Sequence, residues 1–422
     1  MPKIGEILIA EGHLTQEGLE EALDWQVLYG GRLGTNLLEL KLSEEERLAH
    51  ALGKQLGAEV AWGELAVDPA LVGIVPKHVA DRQEIVPWKV DKRRLKILCC
   101  EIKVAEFDQL SYKLGRTCVP VVAPEFRIFQ LLRAHYQATR QMRALDFGLV
   151  PEEGLEARRK KKEKEKGNVV VEPPPELIDE GAFNEIYAKV VGERTAAPQQ
   201  PEPPPVAAAA QEEQLEKLPE DAILEELPAE AIVGEAAPPL KEVSWDEPLQ
   251  AAPPRNEAPL EFKDALKALE GVTDRDSIAH IVLRASRSKA ARALLLQVQG
   301  GVALGWDGLG EGLENGAART VAIPLAGDSA FRLVVKTRSH YMGPLQKTPS
   351  NIRFLATLGK KVPLSSLLFP ILHKGRVSHM LYLDNGHKQQ APTDVGEMLI
   401  LSQRIGQTVE ALVERKRKAA RG

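Results

Sequence analysis

The sequence predicts a multidomain α+β protein, and three observations predict it. Residues 3–26 and 32–55 are two 24-residue copies of one pattern, separated by the five residues 27–31. Residues 201–250 carry 13 Asp/Glu against 2 Lys/Arg, a local net of −11, with nine prolines. From about residue 260 the chain reads as helices, strands, a hairpin and a long closing helix. The 422 residues therefore divide into an N-terminal domain over 1–145, a charged and then Pro/Ala/Glu-rich disordered linker over 146–258, and a C-terminal domain over 259–422.

Aligned without a gap, each copy opens on a cation, an aliphatic and a glycine: Lys3, Ile4, Gly5 and Arg32, Leu33, Gly34. Aliphatics follow (Leu8, Ile9; Leu37, Leu38), then leucines four apart (Leu19, Leu23; Leu48, Leu52) and a closing glutamine (Gln26; Gln55). Leucines four apart share one helix face. Gly12 with Thr15 as N-cap, and Ser43 followed by Glu44, Glu45 and Glu46, mark the start of a second helix in each copy. Each copy is thus an αα-hairpin. Two copies are too few for a solenoid and predict a local pseudo-two-fold.

This double motif resembles the MshEN domain, the N-terminal module of type II secretion and type IV pilus assembly ATPases, whose pattern is two 24-residue RLGxxhhxxGhhxxxxLxxxLxxQ motifs with a five-residue spacer. Members of that family bind cyclic di-GMP. The resemblance implies one half-site at Lys3, Ile4, Gly5, Leu19, Leu23 and Gln26, and a second at Arg32, Leu33, Gly34, Leu48, Leu52 and Gln55. The residue types suit a nearly symmetric dinucleotide. Glycine lets backbone amides approach a phosphate, a guanidinium pairs with phosphate or a guanine edge, leucines bed the rings, and glutamine both donates and accepts. Two departures matter: Lys3 replaces the first arginine and lacks its planar fork, and the glycine at the tenth position is Gly12 in one copy but Lys41 in the other. His13 and Ser43 stand where the pattern has aliphatics.

Residues 56–136 predict an α/β subdomain similar to the remainder of that domain. Its elements are a helix opened by Pro76, a hairpin of EIVPWKV with LKILCC, a helix from Val104 to Leu114, the strand TCVPVV and a helix after Pro124. In the secretion ATPases a catalytic domain with a GxxxxGK[ST] phosphate loop follows. That loop is absent here, since neither Gly53-Lys54 nor Gly359-Lys360 has the upstream glycine or the following Ser/Thr. GxSxG, HExxH and paired Cys/His signatures are absent too, so no enzymatic activity is expected.

A net charge of −5 gives no footprint for nucleic acid. Cys99, Cys100 and Cys118 are an odd set, which predicts reduced thiols and a cytoplasmic setting. Alternation along KILCC predicts one of Cys99 and Cys100 in the core and the other on the opposite face. The start of the chain has no signal-peptide pattern, and no run of about eighteen apolar residues predicts a membrane span. No cofactor or metal is expected.

Within the linker the composition changes at Arg158, where the mixed charge run RRKKKEKEK begins, and the acidic, proline-rich stretch over 201–250 cannot bury enough apolar surface to fold. Two pieces keep a pattern. Residues 176–194 place Phe183, Ile186, Tyr187 and Val190 at helical spacing, and residues 221–232 repeat an acidic-hydrophobic mixture. Residual helicity and a motif that docks into a partner's groove are both open.

The C-terminal domain predicts two helices broken at Gly271, with Thr273 or Asp274 capping the second. The strands ARALLLQVQ, VALGWDG, RTVAIPL and AFRLVVKT follow, then an irregular stretch, a hairpin turning at Lys374-Gly375 and a helix from Asp394 to about Lys416. The hairpin FPILHKGRVSHMLYLDNG before a long helix looks like the end of a GAF domain, which implies a GAF-like antiparallel sheet with helices and a homodimer through the terminal helix. The domain has no cysteine for a bilin linkage. His373, His379, Trp306, Tyr341 and Trp245 are expected to pack rather than to bind.

Two functional readings follow: a non-enzymatic effector that binds cyclic di-GMP and relays its state to the GAF-like domain, or a ligand-free scaffold docked on secretion or pilus machinery.

Overall fold

The computed structural model describes residues 2–92, 94–149, 180–191, 256–359 and 361–421. The charge run, residues 221–232 and Trp245 lie outside them.

The tandem copies form four helices: α1 (Ile4–Ala10), α2 (Gln16–Tyr29), α3 (Leu33–Glu39) and α4 (Glu45–Leu56). Thr15 caps α2 as its side chain predicts, accepting from the Gly18 amide at 3.1 Å. In the second copy the cap position is Glu44, one residue after Ser43, and no side-chain cap bond forms. The glutamates of the first turn still favour the helix start through the macrodipole.

The subdomain that follows has a four-stranded sheet in the order β1-β4-β3-β2. Its strands are β1 (Glu59–Val60), β2 (Ile85–Asp91), β3 (Arg94–Cys99) and β4 (Thr117–Val122). Helices α5 (Pro69–Val72), α6 (Lys77–Gln83), α7 (Val104–Leu114) and α8 (Glu125–Tyr136) surround it. Cys99 and Cys100 are both buried, contrary to the alternation expected, because β3 ends at Cys99 and the chain turns inward. Burial pushes the Cys99 thiol up to about 12 and Cys100 well above the usual thiol range. All three cysteines are free. Helix α9 (Glu180–Val191) lies within the predicted linker.

The C-terminal half begins with α10 (Phe262–Glu270) and α11 (Arg275–Arg287), the latter capped by Asp274, which accepts from the Ser277 amide at 2.8 Å. A six-stranded antiparallel sheet then forms in the order β7-β6-β5-β10-β9-β8. Its strands are β5 (Arg292–Gln299), β6 (Val302–Leu309), β7 (Ala322–Pro324), β8 (Tyr341–Gly343), β9 (Ser366–His373) and β10 (Arg376–Asp384). The β9–β10 turn falls at Lys374 and Gly375, both at positive φ. AFRLVVKT, expected as a strand, is instead helix α12 (Ala330–Thr337). Ser329 caps it, and Ala330, Phe331 and Val334 bury a single face, so the period is helical despite the β-branched residues. The stretch read as irregular holds β8 and helix α13 (Pro349–Thr357), started by Thr348. Helix α14 (Gly396–Arg421) closes the chain. Among the described residues no helix is long and apolar enough to cross a membrane.

Alternation along the central strands covers both faces of this sheet. Leu295, Leu381 and Leu383 point to the α10, α11 and α14 side, while Leu294, Leu296, Met380 and Tyr382 point to the α12 and α13 side. The first of these cores does not end at the domain. It runs from Ile278, Leu283, Trp306, Phe369, Leu401 and Ile405 into Trp25, Leu28, Tyr29, Leu37 and Leu48 of the tandem hairpins. Helix α2 lies along α14, and Asp24 pairs with Arg417, Oδ1 to Nε at 2.6 Å. The Tyr29 ring stacks on His379 with centroids 5.6 Å apart, and Gln297 donates to the Tyr29 carbonyl at 3.4 Å. Burial, aided by the Arg275 charge, lowers the His379 pKa to about 3, so the ring is a neutral packing group.

One buried ion pair holds the end of this seam. Arg143, in the tail after α8, donates through Nε to Glu39 Oε1 at 2.8 Å, through Nη1 to the Tyr29 and Gly30 carbonyls, and through Nη2 to Asn36 Oδ1 at 2.7 Å. Nη2 also reaches Glu39 Oε2, which accepts from Trp25 Nε1 at 2.9 Å. Glu39 is fully buried. Such a pair is costly to break on one side, because the charge that remains is uncompensated. Glu39→Gln should lower unfolding free energy by about 3–5 kcal/mol in urea titration, and Glu39→Gln with Arg143→Met should lose less than the two single changes summed.

Candidate ligand site on the tandem hairpins

The hairpins are arranged as an exchanged pair: α1 packs on α4, and α2 on α3. The closing glutamines make the pseudo-two-fold explicit. Gln26 Nε2 donates to the Gly31 carbonyl at 2.8 Å, next to Arg32, and Gln55 Nε2 donates to the Pro2 carbonyl at 3.3 Å, next to Lys3. Each copy's last residue therefore fixes the entry to the other copy's first, and each glutamine keeps its Oε1 for another partner.

The opening glycines serve the same symmetry. A Cβ on Gly5 would lie 2.8 Å from Leu19 Cδ1, and one on Gly34 would lie 3.1 Å from Leu48 Cδ1. Both pairs are the third and seventeenth positions of their copy. The glycine thus has a packing duty within each hairpin, where backbone approach to a leucine requires it. The tenth positions also agree: Gly12 and Lys41 are both left-handed, at φ 72° and 51°. The lysine keeps the turn and bears its strain.

Among the twelve residues expected to form the site, Gly5 and Leu48 are buried, Lys3 is exposed, and the other nine are half-buried along the hairpins. The two cations differ sharply. Arg32 sits before α3 and is surrounded by carboxylates of the α/β subdomain: Nη2 lies 2.9 Å from Glu84 and 3.8 Å from Glu101, and Nε lies 3.5 Å from Glu125. Glu125 Oε2 also accepts from the Arg32 amide and the Thr35 hydroxyl, each at 2.9 Å. Lys3 has no ion-pair partner among the described residues; its backbone amide donates to Glu6 at 2.9 Å. Glu84, Glu101, Thr35 and Glu125 carried no signal in the repeat, because three of them belong to a different subdomain.

A cavity of about 200 Å³ opens beside the second copy, between α3, α8 and the tail, lined by Gly31, Thr35, Glu125, Phe129, Arg133 and Arg143. Among the described residues no group of three or more His, Cys, Asp and Glu could hold a metal ion.

Comparison with known proteins bears on both halves of the chain. Residues 60–142 match the family model of the MshEN domain. This chain carries an MshEN domain. The match begins just after the tandem hairpins and covers the α/β subdomain with α8. The type IV pilus assembly ATPase PilB of Myxococcus xanthus (strain DK1622) is 29% identical over 136 residues, which is 32% of this chain and 24% of that protein. The chain thus spans about a quarter of the length of that curated relative. The solved structure of MshE with cdg is 27% identical, covers 31% of this chain and 97% of that one, and superposes with a TM-score of 0.26. The GAF domain of the Acinetobacter phosphoenolpyruvate-protein phosphotransferase is 15% identical, covers 36% and 90% of the two chains, and has a TM-score of 0.29.

The left-handed lysine at the tenth position of the second copy yields a direct test. Lys41→Gly should raise stability by about 0.5–1 kcal/mol in urea titration, since relief of the left-handed strain exceeds the added chain entropy. A loss instead would mean that the Lys41 side chain makes a contact worth more than that strain.

Proposed function

We propose that the chain is a cytoplasmic, non-enzymatic regulatory protein that binds cyclic di-GMP across the two hairpins and relays the bound state to its GAF-like C-terminal domain. The observation that carries this reading is the reciprocal symmetry of the site. A two-fold dinucleotide needs two equivalent sets of groups, and the Gln26–Gly31 and Gln55–Pro2 bonds support that equivalence, each tying the closing glutamine of one copy beside the opening of the other. Lys3, Ile4, Gly5, Leu19, Leu23 and Gln26 form the weaker half-site. Arg32, Leu33, Gly34, Leu48, Leu52 and Gln55 form the stronger one, with a guanidinium already oriented by Glu84 and Glu125. The relay is supported by α2, which carries Leu19, Leu23 and Gln26 and also packs along α14.

A second reading has its own observation. The carboxylates around Arg32 offset its charge, and a phosphate would have to compete with them, which favours a ligand-free docking module for pilus or secretion machinery. Calorimetric titration of cyclic di-GMP into the full chain separates the two; the full chain is needed because the hairpins share a core with the C-terminal half. Micromolar or tighter binding is expected. Arg32→Ala should weaken it by about 1.5–3 kcal/mol, ten- to a hundredfold, and Lys3→Arg should tighten it. Absence of binding at millimolar ligand would leave the scaffold reading.

A further inference from the structure

Helix α9 belongs to the segment read as either residual helicity or a motif for a partner's groove, and it docks on this chain itself. Ile186 and Tyr187 pack on a small separate core made of Met142 and Phe147 from the tail of the N-terminal domain and Val302, Leu304 and Ala322 from the C-terminal sheet. The groove is therefore a seam site, complete only when both halves are together. It also offers a directional polar contact: the Tyr187 hydroxyl donates to the Thr320 carbonyl at 2.8 Å, and the Arg353 guanidinium lies 5.4 Å from the centre of the Tyr187 ring. Helix α9 rests against α8, the turn Ala144–Phe147 and β7. Glu185, Ala188 and Lys189 are exposed, whereas Ile186 and Tyr187 are half-buried.

We propose that this groove is a recognition site for an amphipathic helix bearing an Ile-Tyr pair, and that residues 180–191 are its tethered, exchangeable occupant. Two features support exchange. A helix of twelve residues has little stability by itself in water, so its order is coupled to docking. Its attachment within the chain also replaces intrinsic affinity by effective concentration, roughly millimolar for a tethered segment. A groove of intrinsic Kd near 100 µM would then be filled in cis about nine times in ten, and a free helix would see it about tenfold weakened.

The test uses a fluorescein-labelled synthetic peptide of residues 180–191, titrated by fluorescence anisotropy into the full-length chain and into full-length Ile186→Asp/Tyr187→Asp. The variant should bind the peptide about tenfold more tightly than the wild type. A peptide carrying Tyr187→Asp should not bind either chain. Equal affinities for the two chains, or no binding to a variant whose circular dichroism and unfolding midpoint match the wild type, would overturn the proposal. Should the double variant fail to fold, hydrogen exchange on the wild-type chain decides. Slowed exchange of the 180–191 amides that accelerates when excess Tyr187→Phe peptide competes for the groove supports it, and exchange unaffected by that peptide overturns it.

Discussion

The Arg143–Glu39 pair is the constraint on which the arrangement of this chain depends. One guanidinium reaches the last helical residue of α3, the carbonyls that end α2 and the amide of Asn36, and its own residue opens the turn after α8. Its donors are all used, and the carboxylate it meets is shared with Trp25. A fully desolvated pair tolerates little displacement, because any shift strands a charge away from water. The α2–α3 corner and the tail after α8, remote from each other in sequence, are therefore locked at one point. The next residues, Tyr29 and Gly30, carry that order into the C-terminal half through the Tyr29–His379 stack and through Arg275, which leaves no room for a Cβ at Gly30.

From that point outward the protein has one continuous core on one side of the C-terminal sheet and a separate core on the other. Helix α2 forms part of the first, so the helix that supplies Leu19, Leu23 and Gln26 to the tandem motif also closes the face over α14. Any change in α2 is felt by both halves, since packed interiors respond by discrete repacking rather than gradual deformation. The two cations at the openings are not equivalent in the same frame. Arg32 is steered by three glutamates of the neighbouring subdomain, whereas Lys3 stands at the exposed start of the chain's first helix.

Much of this was legible in the sequence. The two αα-hairpins, the α/β subdomain, the helix pair broken at Gly271 and the hairpin at Lys374-Gly375 all have periodic or turn signals acting over a few residues. The failures are equally local. AFRLVVKT has strand-like composition, yet Ser329 and the spacing of Phe331 and Val334 make it a helix. Cys99 and Cys100 follow alternation only while the strand lasts, and it stops between them.

The repeat by itself determined which residues are paired by symmetry: glycine with leucine, glutamine with the opposite opening, and a left-handed turn at both tenth positions, because covalent spacing fixes those relations within and between adjacent copies. Only the tertiary structure decided what surrounds them. The carboxylates about Arg32, the buried fork of Arg143, the seam along α2 and the groove occupied by α9 join residues tens to hundreds of positions apart. No periodicity encodes such contacts; they exist where desolvation and close packing bring distant groups together and make each depend on the others' presence.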